Sequence, residues 1–207
     1  QALAAQGDVT AAREQVAEAY AADKTLKDGY ARIAWAHFYK KQDYASIRLW
    51  VERDEKNREL SPTWQLQYAR VIAKTEGIEA ALPVIEKACN EEPKLENAYC
   101  SIAWEHYVPK DHAFEKVIPY FEKDYQRGHL TGRWQALYAV ALSFIGRGYE
   151  AEKFVKNAYK ANNQLVNGFA RCGWVRYYYC GYAPDGYSEH NSSPYYIPHF
   201  RHPGRSF

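Results

Sequence analysis

Ile33-Ala34-Trp35-Ala36-His37-Phe38 returns as Ile102-Ala103-Trp104-Glu105-His106-Tyr107, 69 residues later. Trp64-Gln65 with Tyr68-Ala69 returns as Trp134-Gln135 with Tyr138-Ala139, 70 residues later. Gly173-Trp174 follows Ala103-Trp104 by the same 70. Self-similarity at a fixed interval marks a repeat architecture, in which each unit buries its apolar face against the next. A spacing near 70 is two units of about 35.

The single unit is visible between Pro62 and Pro93. Ala69 is the small residue of a first helix, Ala81 and Ala88 those of a second, and Pro93 closes it. Arg133 to Asn163 repeats the arrangement through Ala139, Gly146, Ala151 and Ala158, with Asn163 in place of the closing proline. Gly7 to Lys24 carries Ala12 and Ala19 and reads as a second helix alone. This pattern resembles the tetratricopeptide repeat family over residues 1–179. The resemblance implies an all-α fold, a right-handed superhelical solenoid of helix-turn-helix units. Two units depart from the pattern. One carries two extra residues around Val108-Pro109-Lys110. The other has Ile47 and Asp54 at small positions, which predicts splayed or altered packing.

Turn chemistry places the helices. Lys27-Asp28-Gly29, Ser61-Pro62, Glu76-Gly77, Glu92-Pro93, Gly128 and Gly146-Arg147-Gly148 are the breaks. Helices are predicted over 9–23, 29–40, 43–57, 62–75, 78–90, 95–107, 112–126, 132–145, 148–161 and 165–179. Ser61 is an expected N-cap with proline at the first helical position. Pro83 and Pro119 fall inside second helices and are expected to bend them. In this frame Gln1 falls mid-hairpin, so the chain reads as part of a longer array. The helix ending near Tyr179 lacks a following partner and reads as a terminal cap.

Composition narrows the function. Hydrophobic residues are 47% of the chain, ample for a core, and net charge is +2 with no long basic run. No nucleic-acid partner is therefore expected. No apolar stretch approaches the roughly 20 residues of a membrane helix. Cys89, Cys100, Cys172 and Cys180 form no CxxC, so neither a redox motif nor a zinc knuckle is indicated. Four buried thiols are the expectation, with a Cys89–Cys100 bridge as the rival. No phosphate loop, nucleophile elbow or zinc-protease motif occurs, and no catalytic residues, metal or cofactor are expected. His37 and His106 recur in register, but Arg176 takes the third place, which argues against a shared metal. The aromatic, methionine-free chain leans toward an extracytoplasmic bacterial setting.

By analogy with the family, first helices line a concave face. Trp35, Phe38, Arg70, Trp104, Tyr107, Trp174 and Tyr177 are expected there, with large aromatics at every second repeat. Each tryptophan lies three residues before its aromatic partner, on one helix face. Such shelves suit a peptide or a sugar, and packing between first helices is the competing role. Residues 1–180 thus form the repeat array, and 181–207 an extended, non-helical tail rich in proline and tyrosine. Tyr195, Tyr196, Ile197 and Phe200 want burial, and the tail is expected to dock on its own array or on a neighbouring copy, with a disordered tail as the rival expectation. The leading expectation is a protein-interaction scaffold holding a peptide or partner subunit, as part of a larger assembly. A carbohydrate-binding groove of an envelope or polysaccharide complex is the second. Self-assembly into a homo-oligomer through the tail is the third.

Overall fold

The computed structural model describes residues 1–57, 60–165, 167–169, 171 and 172. Among these residues the chain is all-helical, with ten α-helices and no strand. In order they are α1 (Ala2–Ala5), α2 (Val9–Ala22), α3 (Gly29–Phe38), α4 (Tyr44–Lys56) and α5 (Pro62–Thr75). Then come α6 (Ile78–Glu91), α7 (Ala98–Asp111), α8 (Phe114–Gln126), α9 (Gly132–Phe144) and α10 (Gly148–Ala161). A 3-10 turn, Tyr39–Lys41, follows α3. Helices pack as neighbours in the chain: α3 on α4, α5 on α6, α7 on α8 and α9 on α10. No described helix is long and apolar enough to cross a membrane. Of the helix expected over 165–179, residues 168, 169, 171 and 172 are described and helical. Cys180, the expected cap at Tyr179 and the whole 181–207 tail lie outside the described residues.

Small residues let the paired helices close. Ala12, Ala69, Ala81, Ala88, Ala139, Ala151 and Ala158 are all buried. At Gly132 a Cβ would stand 3.1 Å from the Ala158 carbonyl oxygen, so α9 and α10 approach nearly backbone to backbone. One core runs from Ala31 in α3 to Cys172. Cys89, Cys100 and Cys172 are free and buried, so Cys89 and Cys100 form no bridge.

Three local expectations are corrected. Helix α7 runs through Pro109 to Asp111 rather than stopping at Tyr107, and His112 closes it at a φ of 50°. Pro109 has no N–H, so the Glu105 carbonyl four residues earlier lacks its helical donor. Lys74 of α5 supplies one, its Nζ donating to that oxygen at 2.8 Å. Ser61 does stand at the start of α5, but its hydroxyl caps nothing in that helix. It donates instead to Asp28 Oδ2 at 2.7 Å. Ile47 and Asp54 do not splay their hairpin; both are at 0% exposure.

Asp54 shows why. Near the end of α4 its carboxylate reaches the start of α3, where the first turn has N–H groups with no helical acceptor. Oδ2 accepts from the Ala31 N–H at 2.8 Å and Oδ1 from the Tyr20 hydroxyl at 2.9 Å. Asp124, 70 residues on and also at 0% exposure, does the same for α7. Its Oδ2 accepts from the Tyr99 and Cys100 N–H groups at 2.9 and 2.8 Å. Negative charge at a helix N-terminus is favourable.

A second device repeats with the same period. Asp28 and Asn97 precede α3 and α7 in the left-handed region, at φ 64° and 54°. Aspartate and asparagine tolerate that conformation best among residues bearing a Cβ. The Asp28 carboxylate then accepts from the Ser61 N–H at 2.6 Å. Asn97 Oδ1 accepts from the Thr131 N–H at 2.9 Å. Each residue thereby ties the start of one hairpin to the start of the next.

Removing the Asp124 carboxylate leaves two buried N–H donors without a partner, each worth about 1–3 kcal/mol. Asp124→Ala should therefore lower the urea-unfolding free energy by about 3 kcal/mol, and Asp124→Asn by less because an amide oxygen still accepts. Burial pushes the Asp124 carboxyl above its ordinary range, against hydrogen bonds from Cys100 and the Arg127 guanidinium. A raised value contributes stability that is complete below the unfolded-state pKa and is lost as pH rises through the folded one. The wild type should thus gain on Asp124→Asn as pH falls through the acidic range, read from parallel urea melts.

Candidate functional site

The first helices α3, α5 and α7 bring a strip of aromatic and charged side chains together. Trp35 of α3 and Tyr39, the first residue of the 3-10 turn that follows, stand four residues apart, and their rings stack at 4.1 Å with planes 15° apart. Spacing of four residues places such a pair on one helix face. Tyr39 remains 38% exposed. The edge of Trp35 meets Trp64 of α5 at 5.9 Å, and the Arg32 guanidinium lies 5.5 Å from the Trp64 ring centre.

Arg70 stands beside this aromatic group on α5. It donates to Gln67 Oε1 at 3.2 Å and, across to α7, to Ser101 Oγ at 3.0 Å. Its Nε lies 3.6 Å from the Glu105 carboxylate, an ion pair rather than a hydrogen bond. Lys74, one turn further along α5, reaches the Glu105 carbonyl freed by Pro109. Burial lifts the Tyr39 hydroxyl above its ordinary range; the nearby Glu105 and Tyr44 add to this and Arg70 opposes it. The strip therefore offers an exposed aromatic shelf flanked by a guanidinium whose reach is fixed by two helices.

The expected site residues divide. Trp35 and Arg70 lie in this strip. Trp104 has the same place in the repeat as Trp35 and meets the equivalent tryptophan of the next first helix, but has two phenylalanines of α8 where Trp35 has the stacked Tyr39. Its ring meets Phe114 and Phe121 of α8 at 5.8 and 6.0 Å, and Trp134 of α9 at 6.4 Å. Trp104 is partly buried like Trp35, but no exposed ring stacks on it among the described residues. Phe38 faces Trp50 of α4 at 6.4 Å. Tyr107 donates its hydroxyl to Glu79 of α6 at 3.3 Å and lies beside Tyr120 and Lys116. Phe38 and Tyr107 thus point toward second helices rather than into the strip. Trp174, Tyr177, Tyr195, Tyr196, Ile197 and Phe200 lie outside the described residues.

Tyr39, Trp64, Lys74 and Glu105 were not anticipated from the sequence. Tyr39 and Lys74 each follow an anticipated residue by four, a spacing that could have found them. Glu105 could not be found that way, because its role depends on Pro109 continuing a helix. His37 is engaged: its Nδ1 donates to the Ala4 carbonyl oxygen at 2.8 Å, and Nε2 lies 2.9 Å from Lys41 Nζ. No cluster of three potential metal ligands occurs among the described residues.

Comparison with protein-family models, with curated proteins and with solved structures finds no match to this chain.

Trp35 supports packing as well as the shelf, whereas Tyr39 is largely shelf. Trp35→Ala should cost about 2–3 kcal/mol of folding stability, below the value for a fully buried ring. Tyr39→Ala should cost less than about 1 kcal/mol, mostly the lost ring contact. Chemical denaturation of the two variants side by side tests the difference.

Proposed function

We propose that the chain is an interaction scaffold. In this reading it is a right-handed superhelical solenoid of tetratricopeptide-like units. It holds an extended peptide, or a segment of a partner subunit, along the strip formed by α3, α5 and α7. The observation that carries the reading is the half-exposed Trp35–Tyr39 stack beside Arg70. An aromatic shelf gives a bound chain a flat apolar contact at low entropic cost. A guanidinium pre-positioned by Gln67 and Ser101 offers donors to a carbonyl or carboxylate without being ordered anew. The strip positions no nucleophile beside a base, which favours binding over catalysis.

The test is a random-peptide display selection on the intact protein, followed by affinity measurement of the selected peptides on variants. Tyr39→Ala and Arg70→Met should each weaken the selected peptides about tenfold, as loss of an interface anchor does. Circular dichroism should leave the helical content of both unchanged. Selected peptides that bind both variants as well as the wild type would refute the strip as the site. A glycan array on the same variants addresses the carbohydrate reading, with a Tyr39-dependent hit as the outcome that would replace a peptide by a sugar.

A further inference from the structure

A second groove lies away from the strip, where α2, α3 and α4 meet. It holds about 220 Å³ and is lined by Arg13, Tyr30, Leu49, Trp50 and Arg53. Its floor is apolar. Tyr30 and Trp50 meet edge to face at 6.1 Å, and Leu49 is 71% exposed. Its rim is cationic. Arg53 lies 4.2 Å above the Tyr30 ring, and Arg13 faces it from α2. Neither arginine has a carboxylate within ion-pair distance among the described residues, whereas Arg48, Lys87, Lys123 and Arg147 each do. The sequence explains this locally: the positions one turn away on each helix hold Val9, Thr10, Val16 and Ala17 for Arg13, and Leu49, Trp50, Lys56 and Asn57 for Arg53.

The repeat supplies an internal comparison. Tyr30 corresponds to Tyr99 and Arg53 to Lys123, whose ammonium lies 4.8 Å above the Tyr99 ring. The cation-over-tyrosine geometry is thus kept in the second copy. Its charge is not. Arg13 becomes Leu82, and Ala17 becomes Glu86, which pairs with Lys123 at 3.7 Å. In the second copy the floor is Tyr99 with Pro119 and Tyr120, and the cations are paired, Lys123 with Glu86 and Arg127, 5.7 Å from the Tyr99 ring, with Asp124; the first copy carries two guanidinium groups without such partners among the described residues. Leu82 packs against the core whereas Arg13 is exposed, so packing accounts for the leucine of the second copy but not for the arginine of the first.

We propose that the α2–α4 groove binds an acidic peptide segment of a partner protein, with an aspartate or glutamate carboxylate between Arg13 and Arg53 and a neighbouring apolar side chain on Leu49 and Trp50. Arginine is suited to this because its fork of donors matches a carboxylate and its face stacks on an aromatic ring. A peptide fits better than a bare anion, since an anion would leave the exposed Leu49 and the Trp50 floor uncovered. This site is independent of the strip.

The test exchanges the residues that distinguish the copies. Arg13→Leu with Ala17→Glu puts the second copy's pair into the first, at positions where α6 already carries them. Leu82→Arg with Glu86→Ala does the reverse. A random-peptide display selection is run on the wild type and both double variants, with Tyr39→Ala identifying ligands that belong to the strip. The expected result is a family of acidic-apolar peptides that bind wild type and Tyr39→Ala equally and bind R13L/A17E roughly tenfold more weakly, the loss of a charge-assisted contact. Calorimetry with one such peptide should give one site on the wild type, none of that affinity on R13L/A17E, and still one on L82R/E86A, whose second copy lacks counterparts of Leu49 and Trp50. Acidic peptides that bind R13L/A17E undiminished, or a selection yielding no Tyr39-independent acidic family, would overturn the proposal.

Discussion

Two buried carboxylates hold the helical stack in register. Asp54 and Asp124 each lie near the end of a second helix and turn back onto the N-terminus of the helix before it. A helix start presents several donors that nothing within the helix can satisfy, and burying them without partners is costly. In a stack of hairpins every internal helix has such an end pressed between neighbours. A carboxylate supplies two acceptor atoms and opposes the positive end of the helix dipole. It also fixes the axial position of one helix against the other, because the hydrogen bonds are short and directional. The small residues that allow close approach set how near the helices come; the carboxylates set where along their length they meet.

The same reasoning explains why the chain repeats at about twice the helix-pair interval. Two kinds of junction alternate. Before α3 and α7 the chain passes through a left-handed residue, Asp28 or Asn97. Before α5 and α9 it passes through Ser61 or Thr131, whose N–H donates to that left-handed residue's side chain. One junction therefore depends on the other, and the unit that can be copied whole is two hairpins. Tyr20 and Tyr159 extend the pattern: each hydroxyl accepts from the N–H of a glycine nine residues on, Gly29 or Gly168. Asp28 and Asn97 also show what the unit tolerates. The negative charge is lost in the second copy, yet the hydrogen bond to the next hairpin is retained.

Much of this architecture was legible in the sequence, because helix bounds follow from apolar spacing and turn residues, and the repeat is carried by large, distinctive side chains. The clamps were not legible in one unit alone. Asp54 read as a residue too large and too polar for its place, since the reading expects packing there and not a side-chain-to-backbone bond. Only its alignment with Asp124 turns the anomaly into a feature. Pro109 misled for a related reason: proline breaks a helix unless another donor reaches the carbonyl it leaves free, and Lys74, 35 residues earlier, cannot be seen from the local pattern. For the strip, the place of Trp35 was legible, but not the separation of its role from that of Trp104. Their sequence contexts are nearly identical, and the difference arises from Phe114 and Phe121, supplied by another helix.

Duplication within one chain has a consequence for how its surface is interpreted. Residues that keep the two copies folded are under the same physical demands at both places, and they agree: Ile33 with Ile102, Gln65 with Gln135, Tyr68 with Tyr138, Asp54 with Asp124. Tyr68 and Tyr138 even donate to equivalent acceptors, Glu52 and Glu122, at 3.1 and 3.3 Å. Where two copies share a backbone and differ in charge, the fold does not dictate the choice. Ala17 against Glu86 is such a place, and Tyr39 against Val108 is its uncharged counterpart. Stability in a stacked array is close to a sum over neighbouring units, so a surface change in one copy leaves the other's folding nearly untouched. Equivalent helices of the two copies can therefore carry different surface chemistry on one kind of fold, and on the proposed binding role the asymmetries, more than the regularities, are where a ligand would be recognised.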